Sequence, residues 1–341
     1  MRKAIAILVA VFAISAIHAR AQAPAPLKRV GTFKMPAAVK GHFDHFGVDV
    51  PGNRLFSAAE GYKAVLVFNL RTGKLIHTIG GLGIPHAILY RKDLNRIYIT
   101  DGGAGALNIY DGKTYKLIKS VKLLVDSDSI AYDPTTKDLY IVNGGGDAHQ
   151  AYSTISIVNT TSGERVGDMK IDGDTLEAMA LEKASPKMYV NNRAKNQIEV
   201  IDREKRTVLA VWPVTMGKAN VAMAFDEAHH RLFVGCRGGE IVVFNTETGK
   251  ELQALPIGKG VDDMVFDPTT RRIYASCGAG AGSVDVYKEE DPDHYRLLGK
   301  VPSGAGGKTA RLVPQLERYY VAVPTHENTP AEVFVYQVAE L

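Results

Sequence analysis

Tryptophan occurs once in this chain, as Trp212, and cysteine twice, as Cys236 and Cys277. Acid and base nearly cancel: of 41 basic and 37 acidic residues, Arg2, Lys3 and Arg20 fall in the first 21 positions, which hold no acid, so the remainder is close to neutral. A near-neutral surface has no long-range field with which to gather nucleic acid or anionic membrane. A single tryptophan offers no stacking array for bases, so nucleic acid is disfavoured as a partner. Long apolar runs are also missing, apart from Ala4 to Ile17, which is too short to cross a bilayer comfortably. Helical periodicity is nowhere convincing. No G-x-S-x-G, H-E-x-x-H or phosphate-cradling loop is found, so no reaction is announced by a motif.

The apolar run has its own reading. Met1-Arg2-Lys3 is a short positive start, and Ala19-Arg20-Ala21 has the small-x-small form of a signal peptidase site. Cleavage is expected before Gln22, giving a signal peptide over 1–21 and an exported single domain over 22–341, periplasmic or secreted, with no transmembrane segment. No cysteine stands at the cleavage site to carry a lipid anchor.

What the chain has in quantity is repetition. The phrases "NRLFSAAE", "NRIYITDG", "KDLYIVNG", "PKMYVNNR", "HRLFVGCR", "RRIYASCG" and "ERYYVAVP" share a polar pair, an apolar residue, an aromatic and a strand ending on small or polar residues. Their aromatics, Phe56, Tyr98, Tyr140, Tyr189, Phe233, Tyr274 and Tyr320, are 41 to 49 residues apart. That period is the one at which a repeat is a four-stranded propeller blade. In the fifth unit "VAMAFD", "RLFVGC", "EIVVFN" and "KELQALP" read as strands a to d, with period-two alternation and turn residues between them. The expected fold is all-β: a seven-bladed propeller. "LKRVGTF" (27–33) resembles a d strand yet precedes the first a strand, whereas the C-terminal "AEVFVYQV" reads as a c strand with no d after it. The N-terminal strand is therefore expected to complete the last blade and remove the open sheet edges.

Aligning the blades on their aromatics gives one polar column at the start of strand a: His45, His86, Ser129, Glu177, Ala222, Asp263 and Thr309. Strand a lies nearest the axis, so this column should ring one mouth of the central channel. His42, Asp44, Asp126, Asp128, Asn220, Asp262 and Lys308 should reach the same face from the entering loops. Glu60, Asp101, Asn143, Asn192, Arg193, Arg237 and His326 should reach it from the b to c loops. The candidate ligand-binding set is His45, His86, Ser129, Glu177, Asn220, Asp263, Lys308, Arg193 and Arg237. Within it, His45, His86, Glu177 and Asp263 combine imidazole and carboxylate as a divalent metal or an acid–base pair requires. The alternative reading is that these polar strand starts only satisfy backbone groups at the channel mouth.

Cys236 and Cys277 hold the same position in adjacent blades. Export would permit a disulfide, but blades diverge outward beyond the approximately 7 Å Cα limit, so two thiols are expected; a copper site using both with His326 is the other reading. Arg54, Arg96, Lys187, Arg231, Arg272 and Arg318 stand before the blade aromatics, with Asp138 as the exception, and should keep the opposite face soluble and unpaired. "NTT" at Asn159 matches a glycosylation acceptor in a c to d turn.

The phrases "RIYITDG", "LYIVNG" and "MYVNNR", followed by "ALNIYD", "TISIVN" and "QIEVID", resemble the YVTN family of β-propellers, which includes bacterial periplasmic proteins similar to YncE. The resemblance spans nearly all of 22–341 and rests on structural strands, so it implies architecture and export but no activity. Streptogramin lyases and lactonases share such a fold and act at the channel mouth, an analogy of fold alone. The WD dipeptides of WD40 repeats and the regular tryptophans of quinoprotein dehydrogenases are absent. The expectation is a monomeric binding module taking a small molecule or peptide at the polar mouth. A metal-dependent lactonase or lyase on the same rim is the alternative, and docking to an envelope protein is a third reading.

Overall fold

Each repeat aromatic is the third residue of a strand with apolar residues on both sides of it, and such a strand is stable where both its faces are covered. In the computed structural model, which describes residues 25–340, those seven aromatics are all 4% exposed or less. Each lies in the second strand of a separate antiparallel four-stranded sheet, and there are seven sheets. In the fifth, strand a is Asn220–Asp226, b is Arg231–Cys236, c is Glu240–Asn245 and d is Lys250–Pro256. Burial falls outward: strand b of this blade is covered almost throughout, whereas strand d alternates between exposed and half-buried residues. Seven apolar clusters fill the ring, most of them spanning neighbouring sheets; one packs Phe46 and Phe68 of blade 1 against Tyr320 and Val333 of blade 7. At about 25 cal/mol per Å² of apolar surface buried, these face-to-face contacts are the main stabilising term.

The ring closes as the sequence leads one to expect. Leu27–Lys34 runs antiparallel to Glu332–Val338, from Leu27 opposite Val338 to Lys34 opposite Glu332 with a bulge between Arg29 and Gly31, and so supplies the fourth strand of blade 7. Residues 1–21, read above as a signal peptide, lie outside the described residues. Among the described residues no helix is long and apolar enough to cross a membrane.

The row of basic residues on the face opposite the polar column differs from expectation. Several of its members do not stand free in solvent but reach across to the next blade. Arg54 pairs with Asp49 at 2.8 Å and donates to the Gly112 carbonyl and the Tyr115 hydroxyl of blade 2. Arg96 donates to the Thr161 carbonyl of blade 3, Arg231 to the Pro292 carbonyl of blade 6, and Arg272 to the Ala339 carbonyl beside blade 7. A planar guanidinium with five donors suits this position, because it can serve acceptors of its own blade and of the next at once. Asn159 likewise serves its own turn, its side-chain oxygen accepting from the Thr161 and Ser162 amides.

Candidate functional site

The loop "GHFDHFG" enters blade 1 by passing close beneath a b to c loop. Gly41 has φ +87°, and a Cβ added to Gly61 would stand 2.8 Å from the Gly41 Cα, so both positions require glycine. The Gly61 amide donates to the His42 carbonyl and the Asp44 amide to the Ala58 carbonyl, which fixes the loop before strand a begins at Phe46. His42 is exposed, Phe43 and Asp44 are buried, and His45 is half-buried. His86 occupies the same level in blade 2, in a space that exists because position 102 is glycine: a Cβ there would come within 2.7 Å of His86 Nε2.

The two histidines are joined through a residue between them. Asp44 accepts the backbone amide of His45 through Oδ1 and bonds Nδ1 of His86 through Oδ2. Nδ1 of His45 lies 2.8 Å from Asp263 Oδ1, and the other Asp263 oxygen accepts from the Ala310 amide. The chain Asp263, His45, Asp44, His86 thus crosses blades 6, 1 and 2. Asp128 follows from blade 3, with Oδ1 3.8 Å from His86 Nδ1, buried and without a hydrogen-bond partner. On the far side of the opening Arg193 pairs with Glu177 at 3.1 Å, while Asp262 takes both Arg237 and, at 2.7 Å, Lys308.

These groups line a cavity of about 340 Å³ at the channel mouth. Eight carboxylates face it, from Asp44, Glu60, Asp126, Asp128, Asp147, Asp174, Glu177 and Asp262, against three Lys or Arg side chains and two imidazoles. The charge is also divided by place: blades 1 to 3 carry most of the acids together with both imidazoles, and the Lys and Arg side chains stand on the loops of blades 4, 5 and 7. A second cavity of about 340 Å³ continues down the channel, sharing His45, Ser129 and Ala178 with the first; it is lined by Asp263, by apolar residues including Met179, Met223 and Met264, and by Arg311.

Crowding sets the protonation states. Burial opposes a charged His45, but Asp44 and Asp263 outweigh it and hold its pKa well above the ordinary value. The same contest, with Asp44 and Asp128 as the favourable charges, brings His86 up to about 9. Asp44 is driven the other way: burial would raise it, yet the two imidazolium groups hold it well below the usual carboxylate range. Burial and the neighbouring Asp44 charge push Asp128 strongly upward, and burial raises Asp126 and Glu177 as well. Both histidines are therefore cations at neutral pH, and Asp128 is the carboxyl with least to stabilise its charge.

Of the residues expected at this face, His45, His86, Ser129, Glu177, Arg193, Arg237 and Lys308 line the mouth cavity, and Asp263 lies just below. Asn220 does not line it. Its side chain is fully buried, donating to Asn191 Oδ1 and the Gln197 carbonyl between blades 4 and 5. Asp101, Asn143 and Asn192 also turn inward: Asp101 accepts the Gly83, Ile84 and Ala104 amides, and the two asparagines bond strand and loop carbonyls. Asp147, Asp174 and Arg311 are additions. The first two sit in loops and have no column position; Arg311, two residues after the polar column, could have been found by asking which strand a residues besides that column are charged.

Three sets of residues offer His and carboxylate donor atoms within 4.8 Å of one another among the described residues: Asp44, His45 and Asp128; Asp44, Glu60 and His86; and, away from the mouth, Asp226, His229 and Glu289. The expected grouping of His45, His86, Glu177 and Asp263 is not one of them; Asp44 takes the central place. Cys236 and Cys277 are free, buried thiols pushed up to about 12 by burial, and neither belongs to these sets.

No family model matches the chain, and no curated protein matches it. Among solved structures it is similar to a chain of the crystal structure of the mitotic checkpoint complex, at 12% identity and a TM-score of 0.72, covering 100% of this chain and 99% of that one. As many as 1707 solved chains match, so the likeness describes a widely used ring and selects no activity.

Proposed function

We propose that this chain is an exported, YVTN-type propeller that binds a small molecule or short peptide at the channel mouth through a positively charged group on the ligand. The observation that carries the reading is the acid excess around the mouth cavity, and above all Asp128, whose buried Oδ1 has no partner. With Oδ1 buried and only the His86 ring, at 3.8 Å, for company, the charged form of Asp128 is disfavoured in the empty protein, and an incoming ammonium or guanidinium would favour it. The cavity volume of about 340 Å³ suits a metabolite or one or two side chains of a peptide. Rigid blades hold the site, while the loop-borne Asp147 and Asp174 can adapt to what enters.

Calorimetry of the intact protein against a panel of small amines and Lys- or Arg-containing dipeptides tests this. Binding should weaken by about tenfold or more in Asp128→Asn, in line with the 1.5–3 kcal/mol of a hydrogen bond to a charged group. Carboxylic acids bound as well as amines would contradict it.

A second reading has an observation of its own: Asp44, His45 and Asp128, or Asp44, Glu60 and His86, are spaced so that small rotations would let them hold a divalent cation. Such an ion would polarise a carbonyl and acidify a bound water, as a lactonase or lyase requires. Elemental analysis of protein purified without added metal separates the two, since metal-free protein indifferent to chelator removes the second. Docking of an envelope protein over the same mouth would use the same acidic groups.

A further inference from the structure

On the face opposite the mouth, residues at the end of strand a of one blade meet residues at the end of strand c of the next. At three of these seams the meeting is complementary. Between blades 3 and 4, Asp133 faces Arg203 at 3.5 Å; between blades 2 and 3, Arg91 donates to the Thr160 hydroxyl; between blades 7 and 1, the counterparts are Val313 and Leu70, in one apolar cluster. Between blades 5 and 6 two acids meet. Asp226 ends strand a of blade 5, Glu289 lies in strand c of blade 6 (Ser283–Asp291), and they are 4% and 0% exposed.

His229, in the short turn Glu227–His229, completes the group, its Nδ1 2.5 Å from Asp226 Oδ2. All three residues offer donor atoms within 4.8 Å of one another. Glu289 gives one oxygen to Arg271 at 3.2 Å and keeps Oε1 buried with no partner at all. Asp226 has the His229 ring as its partner, whereas Glu289 beside them has the Arg271 guanidinium on one oxygen and nothing on the other. The corresponding aspartates of blades 1, 3 and 6 (Asp49, Asp133 and Asp267) cap backbone amides in their own turns, whereas the Asp226 carboxylate turns to His229.

We infer that Asp226, His229 and Glu289 form a divalent cation site of the zinc class that fastens blade 5 to blade 6. One imidazole and two carboxylates are a donor set this class accepts, at bond lengths of about 2.0–2.2 Å. Tetrahedral ligands at that range stand about 3.4 Å apart; the present donor atoms lie within 4.8 Å, with His229 Nδ1 and Asp226 Oδ2 at 2.5 Å, so an ion would enter by parting that pair and drawing Glu289 in. His229 is 40% exposed, which leaves a route from solvent and room for a water in the remaining position. The site shares no residue with the mouth and does not depend on what binds there.

The test uses chelator-stripped intact protein, with zinc chloride in calorimetry and cobalt(II) as an optical probe. Wild type and the mouth variant Asp44→Asn should each show a high-affinity cation that raises the melting temperature. His229→Ala and Glu289→Gln should lose that response, with affinity down by more than the about 10–100-fold that loss of an outer partner alone costs. His229 is half-exposed, so its alanine variant should fold even if the glutamate variant does not. A wild type that takes up no cation, or a His229→Ala protein that binds as tightly as wild type, overturns the inference. So does Glu289→Gln that is more stable than wild type and equally indifferent to zinc, because the two acids would then simply share a proton.

Discussion

The two faces of the ring use the same residue types to opposite ends. On the face of the arginine row, Arg54 meets Asp49 and two acceptors of blade 2, and Arg203 meets Asp133, so charge is spent on joining neighbours. At the mouth the acids outnumber their partners, the buried Oδ1 of Asp128 has no hydrogen bond, and both histidines carry protons to hold Asp44 in place. Complementary pairing is what a ring needs in order to stand. Crowding left unresolved inside a cavity is what a ring does not need, and on the reading proposed above it marks the place where a ligand enters.

The contrast is broken most severely from the structural side. Arg54→Ala strands the buried Asp49 carboxylate and should cost about 3 kcal/mol of unfolding free energy in chemical denaturation, as breaking a buried ion pair does. A loss below about 1 kcal/mol would mean that the latch is decorative.

The next effect belongs to the mouth and appears with pH. His86, raised to about 9, stabilises the fold fully below its ordinary pKa near 6.5, and that contribution is lost as pH climbs through about 9. Asp128 adds in the same direction, because a raised carboxyl pKa means the folded state favours its neutral form. Stability should therefore fall by about 2 kcal/mol between pH 6.5 and 9.5, discounting the full shift for the coupling to Asp44. Thermal melts of His86→Gln should flatten this slope.

Smaller again, Asp128→Asn should leave the protein more stable by about 1 kcal/mol near pH 8.5 while weakening ligand, since it removes the charge the empty site cannot satisfy. Stability gained with function lost is the expected sign at a binding residue; a loss of stability would make Asp128 structural. Least of all, Arg96→Ala removes a partly exposed hydrogen bond to Thr161 and should cost about 0.5–1 kcal/mol.

The ring was legible because propeller strands announce themselves locally: the aromatic in each strand b must be buried wherever the blade stands, and seven of them recur at one period. The level of His45 and His86 was legible for the same reason, as strand register carries a column across blades. What bridges them was not. Asp44 stands one residue outside the column, and only the loop's path past Gly61 turns it inward. Asn220 was misplaced because its amide finds Asn191, a partner on a neighbouring sheet that no reading of one strand can supply. The arginine latches and the Asp226–Glu289 meeting both lie at seams between blades, where two residues far apart in sequence decide each other's role.

The central claim is that His45 and His86 belong to one charge cluster at one opening, held by Asp44. NMR titration of the histidine ring signals in wild type and Asp44→Asn tests it most directly. The account predicts that His86 titrates near 9 in wild type and falls toward 6.5 when Asp44 is neutralised, with His45 moving down in the same experiment. Two histidines that titrate near 6.5 in both proteins would contradict it.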